Sequence, residues 1–322
     1  MNDYSCCYVL TDNEKLKFYN QMMVSISSLR YTGFSGKVYV LTDRDTEKLL
    51  SARRGELEEL STEIVAVNID GNYSQMEKSR YIKTSMRRYI TGDALYIDTD
   101  TIVAAPLPDN ISDDELALVY NGNGLEYETA TNWHKKLFAK CGYDYPQNNI
   151  IFNGGVIWMR DTPSVHDAFE QWHASWQDTR ARGVPYDQPS LNYLWQKNAI
   201  TIHELDNRFN VQIGRIYFTP SFFMNACILH LYNIWQDSPV FPLQDPEIQA
   251  LDYRDERIQE IIRDPMAAFS VCRWMKKGST AETYMNTNTF QVGYQIFRNH
   301  KRVFAILERI SHAYRKRKKK RK

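Results

Sequence analysis

Short apolar segments alternate with longer segments of helical periodicity over the first 110 residues of the chain. The strand-length runs are apolar or β-branched and comprise residues 6–11, 37–42, 64–69 and 94–97. Residues 15–31 and 78–90 lie between them and place apolar side chains at helical spacing. This alternation predicts an α/β fold with a mostly parallel central sheet and helices on both faces. Ligands of such sheets bind beyond the carboxyl ends of the strands.

The remaining two thirds of the chain follow a less regular pattern. Residues 121–140 predict a loop and a helix, and residues 148–159 predict a strand pair interrupted by two glycines. Helices are predicted over residues 163–179, which open with Pro163, and 188–196. After about residue 245 the pattern becomes helical and basic. The predicted organisation is an α/β domain, a helical C-terminal extension and a polybasic tail, over residues 1–245, 246–314 and 315–322.

Charge is unevenly distributed along the chain. The net charge is +1, with 40 basic and 39 acidic residues, but residues 315–322 are all Lys or Arg. Without those eight residues the chain has 32 basic residues and a net charge of −7. An acidic body with a basic tail predicts that the tail meets an anionic surface. Nucleic acid is not the expected partner, because the body is acidic and has no nucleic-acid-binding motif.

Cysteine usage and hydropathy predict a cytoplasmic protein. The chain has five cysteines and no CxxC pair, which is typical of reduced thiols rather than of disulfides or zinc sites. They are Cys6, Cys7, Cys141, Cys227 and Cys272. We expect no signal peptide, because the first apolar run is short, and no run reaches the ~20 apolar residues of a membrane span.

Two carboxylates follow the fourth predicted strand, within the motif YIDTD at residues 96–100. Asp98 and Asp100 are followed by a second apolar run, so we expect them to be partly buried, which is costly unless a cation offsets their charge. A divalent metal there could bridge a diphosphate. Asp43 and Asp45 form a similar triplet, but they lead into a polar segment and are interpreted as an exposed helix start and cap.

Four segments together resemble the glycosyltransferases of the GT-A fold, especially the family-8 type that includes glycogenin and bacterial lipooligosaccharide galactosyltransferases. They occur in the family's order over residues 6 to about 235 and are LTDN at 10–13, YIDTD at 96–100, FNGGV at 152–156, and Asp187 with Gln188. The resemblance implies a GT-A nucleotide-diphospho-sugar transferase fold. It also implies a retaining, metal-dependent hexosyltransferase with a UDP-sugar donor and a glycan or glycolipid acceptor, as in polysaccharide biosynthesis.

The resemblance also implies roles for individual residues. His230 would join Asp98 and Asp100 as a ligand of Mn²⁺ or Mg²⁺, and an imidazole beside two carboxylates suits Mn²⁺. The residues implied to be catalytic are Asn153, Asp187 and Gln188. Asn153 would contact the acceptor or donor sugar, Asp187 would hold sugar hydroxyls near the anomeric carbon, and Gln188 would lie under that carbon. The residues implied to bind the nucleotide sugar are Thr11, Asp12, Asn13, Arg80, Lys83 and Thr99.

Structural roles remain open for most of these residues. The alternatives are a strand-end turn at residues 11–13, an exposed basic face for Arg80 and Lys83, a β-bulge at Asn153, a helix cap at Asp187 and a core position for His230. Arg87 and Arg88 are expected to add positive charge near the site. The chain departs from the bacterial enzymes after His230, where it lacks the Gly and Lys that help to hold the diphosphate.

Two other functions remain open. A sugar-phosphate nucleotidyltransferase would normally have a glycine-rich phosphate loop near the N-terminus, and residues 9–15 contain no glycine. The chain could also be an inactive carbohydrate-binding or scaffold protein with the same fold.

The C-terminal segment has the pattern of a membrane-surface helix. Val303, Leu307, Ile310 and Tyr314 share one helical face, with Phe304 and basic residues beside it and the polybasic tail after it. This pattern predicts peripheral attachment to an anionic membrane on its cytoplasmic face. The alternative is a helix packed on the body, followed by a disordered tail.

Overall fold

The computed structural model describes most of residues 1–245. The described residues are 3–124, 132–146, 148, 150–212, 225–231, 251–265, 296, 300, 302–303, 306–307 and 309–310. The chain divides into two compact units, Met1–Ser270 and Val271–Lys322. The predicted boundary at residues 245 and 246 lies outside the described residues, as do Cys272 and the tail.

The first unit alternates strands and helices. Its strands are β1 (Ser5–Leu10), β2 (Val38–Asp43), β3 (Thr62–Val67), β4 (Ala94–Ile97), β5 (Thr101–Val103), β6 (Leu116–Tyr120), β7 (Phe152–Met159), β8 (His203–Glu204), β9 (Val211–Gln212) and β10 (Ile228–His230). Its α-helices are α1 (Lys17–Tyr31), α2 (Arg44–Leu50), α3 (Arg54–Glu59), α4 (Gln75–Ser85), α5 (Asn132–Lys140), α6 (Pro163–Ala181), α7 (Gln188–Gln196) and α8 (Glu256–Arg263).

Two sheets are present among the described residues. The larger has seven strands in the order β3-β2-β1-β4-β7-β6-β8. Every neighbouring pair in it is parallel except the two that involve β7, which is antiparallel to β4 and β6. The smaller sheet has the order β5-β10-β9. The predicted α/β class, with a mostly parallel central sheet, is confirmed.

Helices cover both faces of the larger sheet. Side chains alternate along a strand, so Cys7 and Val9 of β1 face the core cluster that includes Ile82 on α4 and Trp172 on α6. Tyr8 points the other way and its hydroxyl hydrogen-bonds with Ser25 on α1 at 3.1 Å. Burial of both faces explains why β1, β2 and β4 are continuous apolar runs rather than alternating ones.

Most predicted elements are confirmed with small shifts of their ends, but one is wrong. Residues 148–159 do not form a strand pair: β7 is one continuous strand that begins at Phe152 and contains both glycines. Its pairing with β6 becomes irregular between Leu118 and Tyr120, opposite the glycines. Glycine therefore changes the register with β6 without ending the strand.

The interpretation of Asp43 as part of an exposed helix start is also wrong in part. Asp43 does cap α2, because its side chain accepts hydrogen bonds from the backbone N–H groups of Asp45 and Thr46. It is buried, however, and pairs with Lys78 of α4 at 3.1 Å, whereas Asp45 is exposed. The burial arises from a helix more than 30 residues away, which a local pattern cannot show.

In the second unit, residues 302–303, 306–307 and 309–310 are helical. Val303, Ile306, Leu307 and Ile310 are exposed, and their spacing places them on one face of the helix. In the part of the chain that the structure describes, no helix has both the length and the apolar character needed to cross a membrane.

Candidate metal and nucleotide-sugar site

The candidate site lies where three strand ends meet. β1 and β4 are parallel neighbours, so the residues that follow Leu10 and Ile97 lie at the same edge of the sheet. β7 runs the other way and begins at that edge. The strand order reverses at β1: β2 and β3 lie on one side of it, and β4, β7, β6 and β8 lie on the other. Such a switch point is where open α/β sheets place their ligands.

The turn after β4 is held by backbone hydrogen bonds on both sides. Asp98 N donates to Gly155 O of β7 at 2.8 Å, and Leu231 N donates to Asp100 O at 2.8 Å. Thr101 Oγ1 closes the turn by donating to Asp98 O at 3.0 Å. The two carboxylates are therefore presented from a turn fixed between the two sheets. Their side chains are 23% and 29% exposed, which confirms the expected partial burial.

Asp98, Asp100 and His230 lie close enough to share one cation. One ligand-type atom from each lies within 4.8 Å of the others. His230 Nε2 is 3.3 Å from Asp100 Oδ1 and 3.7 Å from Asp98 Oδ2. Two atoms that each bind a cation at about 2.1 Å can be at most about 4.2 Å apart, so both pairs fit a common ion. Two carboxylates and an imidazole are a suitable donor set for Mn²⁺.

The electrostatics of the cluster favour a positive charge at its centre. Burial disfavours the imidazolium form of His230, but the carboxylates of Asp100 and Asp98 outweigh burial and raise its pKa. Burial acts to raise the pKa of Asp100, yet His230 and Lys83 hold it below its ordinary value. His230 therefore keeps its proton to a higher pH than an ordinary histidine does, and a divalent cation bound there would take the place of that proton.

A buried lysine joins the carboxylates on the helix side of the cluster. Lys83 is 3% exposed, and its Nζ lies 3.3 Å from Asp98 Oδ1 and 3.4 Å from Asp187 Oδ2. The Tyr96 hydroxyl also donates to Asp98 Oδ1. Since Oδ1 is held by these two donors, Oδ2 is the oxygen that Asp98 presents towards His230. The burial of Lys83 excludes the alternative of an ordinary exposed basic face.

Asp187 is paired with cations rather than capping a helix. Its side chain makes no capping bond to α7, and its Oδ1 lies 3.1 Å from Arg80 Nε. This contact is within ion-pair distance but is not aligned as a hydrogen bond, and Arg80 Nε has no hydrogen-bond partner among the described residues. Burial acts to raise the pKa of Asp187, but Lys83 and Arg80 outweigh it and lower that pKa.

Asn153 and Gln188 are joined by side-chain amides. Gln188 Nε2 donates to Phe152 O at 2.8 Å and to Asn121 Oδ1 at 3.3 Å. Asn153 Nδ2 donates to the same oxygen at 3.2 Å, and Asn153 Oδ1 accepts from Gly155 N at 2.8 Å. The two residues predicted to lie near the sugar are therefore neighbours with a common partner.

Glycine is needed beside this turn for a specific reason. A Cβ atom on Gly155 would overlap the His230 ring and would lie 2.5 Å from its Nδ1. A Cβ atom on Gly154 would meet only Lys83 and Asp187, at 3.5 Å and 3.7 Å. Glycine at 155 thus allows the imidazole to approach the backbone of β7.

The segment after β1 is bound to the start of α4. Thr11 Oγ1 donates to Gln75 O, and Asn13 Nδ2 donates to Gln75 Oε1. Asp12 is buried, and its two carboxylate oxygens accept from the backbone N–H groups of Asn13 and Tyr19. Asp12 therefore stabilises the entry to α1. Thr99 lies between the two metal-cluster carboxylates and is half-buried.

Arg87 and Arg88 are committed to partners elsewhere. Arg87 is buried, donates to Gly92 O and pairs with Asp161 at 2.7 Å. Arg88 pairs with Glu170 at 2.5 Å on the surface of α6. The positive charge at the cluster comes from Arg80 and Lys83, so the expectation of a contribution from Arg87 and Arg88 is wrong.

Three residues of the site had no predicted role. Tyr96 is the last residue but one of β4 and lies two residues before Asp98. Residues two apart in an extended segment point to the same side, so this spacing could have predicted their contact. Asn121 follows β6, and Asn210 precedes β9 and bonds His230. Neither asparagine stands in a recognisable local pattern, because strand pairing brings both from distant parts of the chain.

Comparisons with known proteins give structural likeness only. No family model and no curated protein sequence matches the chain. The structure is similar to mouse xyloside xylosyltransferase 1 in its apo form, with 14% identity, a TM-score of 0.45, and coverage of 71% of this chain and 98% of that one. It is similar to the galactosyltransferase LgtC in complex with donor and acceptor sugar analogues, with 16% identity, a TM-score of 0.48, and coverage of 80% and 95%. It is also similar to the glycosyltransferase GlyE of Streptococcus pneumoniae TIGR4, with 16% identity, a TM-score of 0.47, and coverage of 81% and 64%.

Proposed function

We propose that this protein is a metal-dependent glycosyltransferase that transfers a hexose from a nucleoside diphosphate sugar, UDP-linked, to a glycan or glycolipid acceptor. The observation that carries the proposal is the cluster of Asp98, Asp100 and His230, with the buried Lys83 beside it. Two carboxylates facing an imidazole form a cation site, and a buried ammonium next to that site suits an anionic ligand.

The balance of charge supports a diphosphate as that ligand. The carboxylates of Asp98, Asp100 and Asp187 outnumber the cations Arg80 and Lys83 by one when His230 is neutral. A bound divalent cation would make the cluster net positive. The cluster would then attract a diphosphate only when it is loaded with metal, so donor binding should depend on the metal.

Each group has a distinct part in the proposed transfer. Asp98, Asp100 and His230 would hold Mn²⁺ or Mg²⁺, which neutralises the charge that develops on the leaving diphosphate. Arg80 has a buried Nε–H without a hydrogen-bond partner among the described residues, and it would donate to a phosphate oxygen. Lys83 would add positive charge in a place that excludes water, where electrostatic stabilisation is strongest.

The nucleoside is proposed to lie at the other end of α4. Gln75 and Lys83 are eight residues apart on that helix, which is about 12 Å along its axis. Thr11 and Asn13 contact Gln75, so the end of β1 borders a surface that leads from the start of the helix to the cation cluster. Thr99 would face the same crevice. This arrangement suits a base and ribose at one end and a diphosphate at the other.

The transferred sugar is proposed to lie against Asp187, Gln188 and Asn153. Asp187 would accept hydrogen bonds from sugar hydroxyls, because its carboxylate is held ionised beside two cations. Gln188 Nε2 donates to two acceptors, and these bonds fix the side-chain amide. Oε1, the other polar atom of that amide, would face the sugar. Retention of configuration is part of this proposal on the strength of the motif resemblance.

Calorimetric titration of UDP tests the proposal. UDP should bind in the presence of Mn²⁺ and bind at least about 100-fold more weakly after chelation, or in Asp100→Asn, because the metal ligand is lost. A screen of UDP-hexoses for metal-dependent hydrolysis would then identify the donor. UDP binding that does not respond to Mn²⁺ would contradict the proposal. Pyrophosphate formation from a sugar phosphate and a nucleoside triphosphate would instead indicate a nucleotidyltransferase, and no binding at all would indicate a scaffold.

We also propose that the second unit attaches the enzyme to an anionic membrane surface on the cytoplasmic side. Four exposed apolar side chains lie on one face of its helix, and residues 315–322 are all basic. An amphipathic helix next to a polybasic segment combines apolar insertion with attraction to anionic lipids. Such attachment would bring the site to a lipid-linked acceptor.

A further inference from the structure

A chain of side-chain amides connects the metal-cluster histidine to the sugar side of the site. His230 Nδ1 lies 2.9 Å from Asn210 Oδ1, and Asn210 Nδ2 lies 3.0 Å from Asn153 Oδ1. Asn153 Nδ2 then reaches Asn121 Oδ1, which also receives Gln188 Nε2. Asn210 is fully buried, so its amide orientation is set by these partners rather than by water.

The directions of the hydrogen bonds that link Asn153, Asn210 and His230 follow from one backbone group. Gly155 N–H can only donate, so the atom of Asn153 that faces it is the oxygen. That oxygen needs a donor from Asn210, which places Nδ2 of Asn210 towards Asn153 and its Oδ1 towards His230. An oxygen facing His230 Nδ1 requires that Nδ1 carries the proton. The lone pair of the neutral ring is therefore on Nε2, the atom that lies 3.3 Å from Asp100 Oδ1.

We infer that Asn210 is a positioning residue that holds His230 in the tautomer needed to bind a cation through Nε2. The inference rests on the proposed function for the identity of the ligand, a divalent metal held with Asp98 and Asp100. A hydrogen bond from the ring nitrogen that does not bind the metal fixes the orientation of a metal-binding histidine and raises its basicity. Asn210 achieves this with a neutral amide whose own orientation is imposed by Asn153 and Gly155.

The first test reads the tautomer directly, without metal. Long-range ¹H–¹⁵N correlation spectra of ¹⁵N-histidine-labelled protein distinguish Nδ1–H from Nε2–H rings, and His230→Gln assigns the signal. The spectra are recorded at alkaline pH, where the imidazole is neutral. Wild-type protein should show the Nδ1–H tautomer at His230. An Nε2–H ring there would overturn the inference whatever the enzyme's activity.

The second test measures Mn²⁺ affinity by paramagnetic resonance titration. Asn210→Leu removes the acceptor and should weaken Mn²⁺ binding about 10- to 100-fold. The neutral His230 ring should then no longer be confined to the Nδ1–H tautomer. Asn210→Asp loses the donor towards Asn153 Oδ1 but keeps an acceptor towards Nδ1, so it should retain the tautomer and provides a second variant if the leucine substitution impairs folding. Asn192→Leu is the matched control, because it removes an equally buried amide whose hydrogen bonds, within the described part of the chain, are to the backbone of Phe152 and Gln188.

The outcomes separate this inference from the proposed function. Unchanged Mn²⁺ affinity and an unchanged tautomer in Asn210→Leu would overturn the role of Asn210 and leave metal binding in place. Equal losses in Asn210→Leu and Asn192→Leu would also overturn it, since general destabilisation would explain both. Wild-type protein that shows the Nδ1–H ring and yet binds no Mn²⁺ would overturn the proposed function, and with it the metal-binding purpose of that tautomer.

Discussion

Gly155 and His230 are in contact such that any side chain at residue 155 would occupy space taken by the imidazole. A Cβ atom there would overlap the ring and would also lie 2.9 Å from Asn153 Oδ1. Because the same glycine donates its N–H to Asn153 and accepts from Asp98 N, it determines both the space and the hydrogen bonds of the metal cluster.

Gly155→Ala should therefore lower Mn²⁺ affinity about 10- to 100-fold by displacing His230. Overpacking should also reduce the free energy of unfolding by about 1–3 kcal/mol. Gly154→Ala is the matched control, because its Cβ would be at ordinary contact distance from Lys83 and Asp187. Titration with Mn²⁺ and thermal denaturation of both variants measure the two effects. Equal metal affinity in the two variants would show that His230 can move without cost.

The two acidic triplets should respond oppositely to substitution. Asp98→Asn or Asp100→Asn should reduce turnover by more than about 100-fold. Even the loss of a residue that only hydrogen-bonds to a metal ligand lowers metal affinity or activity about 10- to 100-fold. Asp43→Ala combined with Asp45→Ala removes a helix cap and the pairing with Lys78, so it should lower stability by about 1 kcal/mol or more. Turnover per folded molecule should not change. Loss of turnover in the Asp43 and Asp45 variant at full stability would mean that the metal triplet was misidentified.

How much of this site was predictable depends on how far each contact reaches along the chain. Asp98 and Asp100 follow a recognisable strand, and Lys83 lies on the helix just before it, so local pattern and the motif resemblance could predict that all three lie near one another. Asn210 contacts His230 because the two-residue strand β9 pairs with β10 in a separate sheet. Periodicity carries no information about such short strands or their register. The burial of Asp43 was missed because its partner Lys78 lies 35 residues further along the chain, on α4.

Binding of Mn²⁺ should weaken as the pH falls, and the weakening should begin at a higher pH than for an ordinary histidine. Burial opposes protonation of His230, but Asp100 and Asp98 raise its pKa above the ordinary 6.5. The metal must displace that proton, so affinity is full above the raised pKa and is lost progressively below it. Calorimetry in buffers of different ionisation enthalpy would measure the proton released. A His230→Gln variant that binds more weakly but with the same pH dependence would assign the proton to another group.

Lys83→Met should weaken UDP binding in the presence of Mn²⁺ by about 10- to 100-fold, the equivalent of one charge-assisted hydrogen bond. The ammonium lies within 3.4 Å of both Asp98 and Asp187, so its loss also removes positive charge from the diphosphate side of the cluster. Arg88→Met is the matched control, because Arg88 is a basic residue just beyond α4 that pairs with Glu170 on the surface. Similar UDP affinities for the two variants would show that Lys83 serves only to stabilise the fold.

Attachment to membranes should require both the apolar face and the basic tail of the second unit. Each Lys or Arg near an anionic leaflet contributes about 1 kcal/mol, and this part of the affinity should disappear at high salt. Ile306→Glu with Ile310→Glu should reduce flotation with anionic liposomes even at low salt, because both side chains are exposed on the helix face that would insert.

Phe18→Glu is the control for that change, since Phe18 is an exposed apolar residue of the first unit and a glutamate is favourable in the first turn of α1. Deletion of residues 315–322 should abolish the salt-sensitive part of binding and leave UDP affinity intact, because every residue of the proposed metal site lies in the first unit. Two results would refute attachment through this unit. One is equal flotation of the intact and truncated proteins, and the other is a loss of flotation in Phe18→Glu as large as that in the double isoleucine variant.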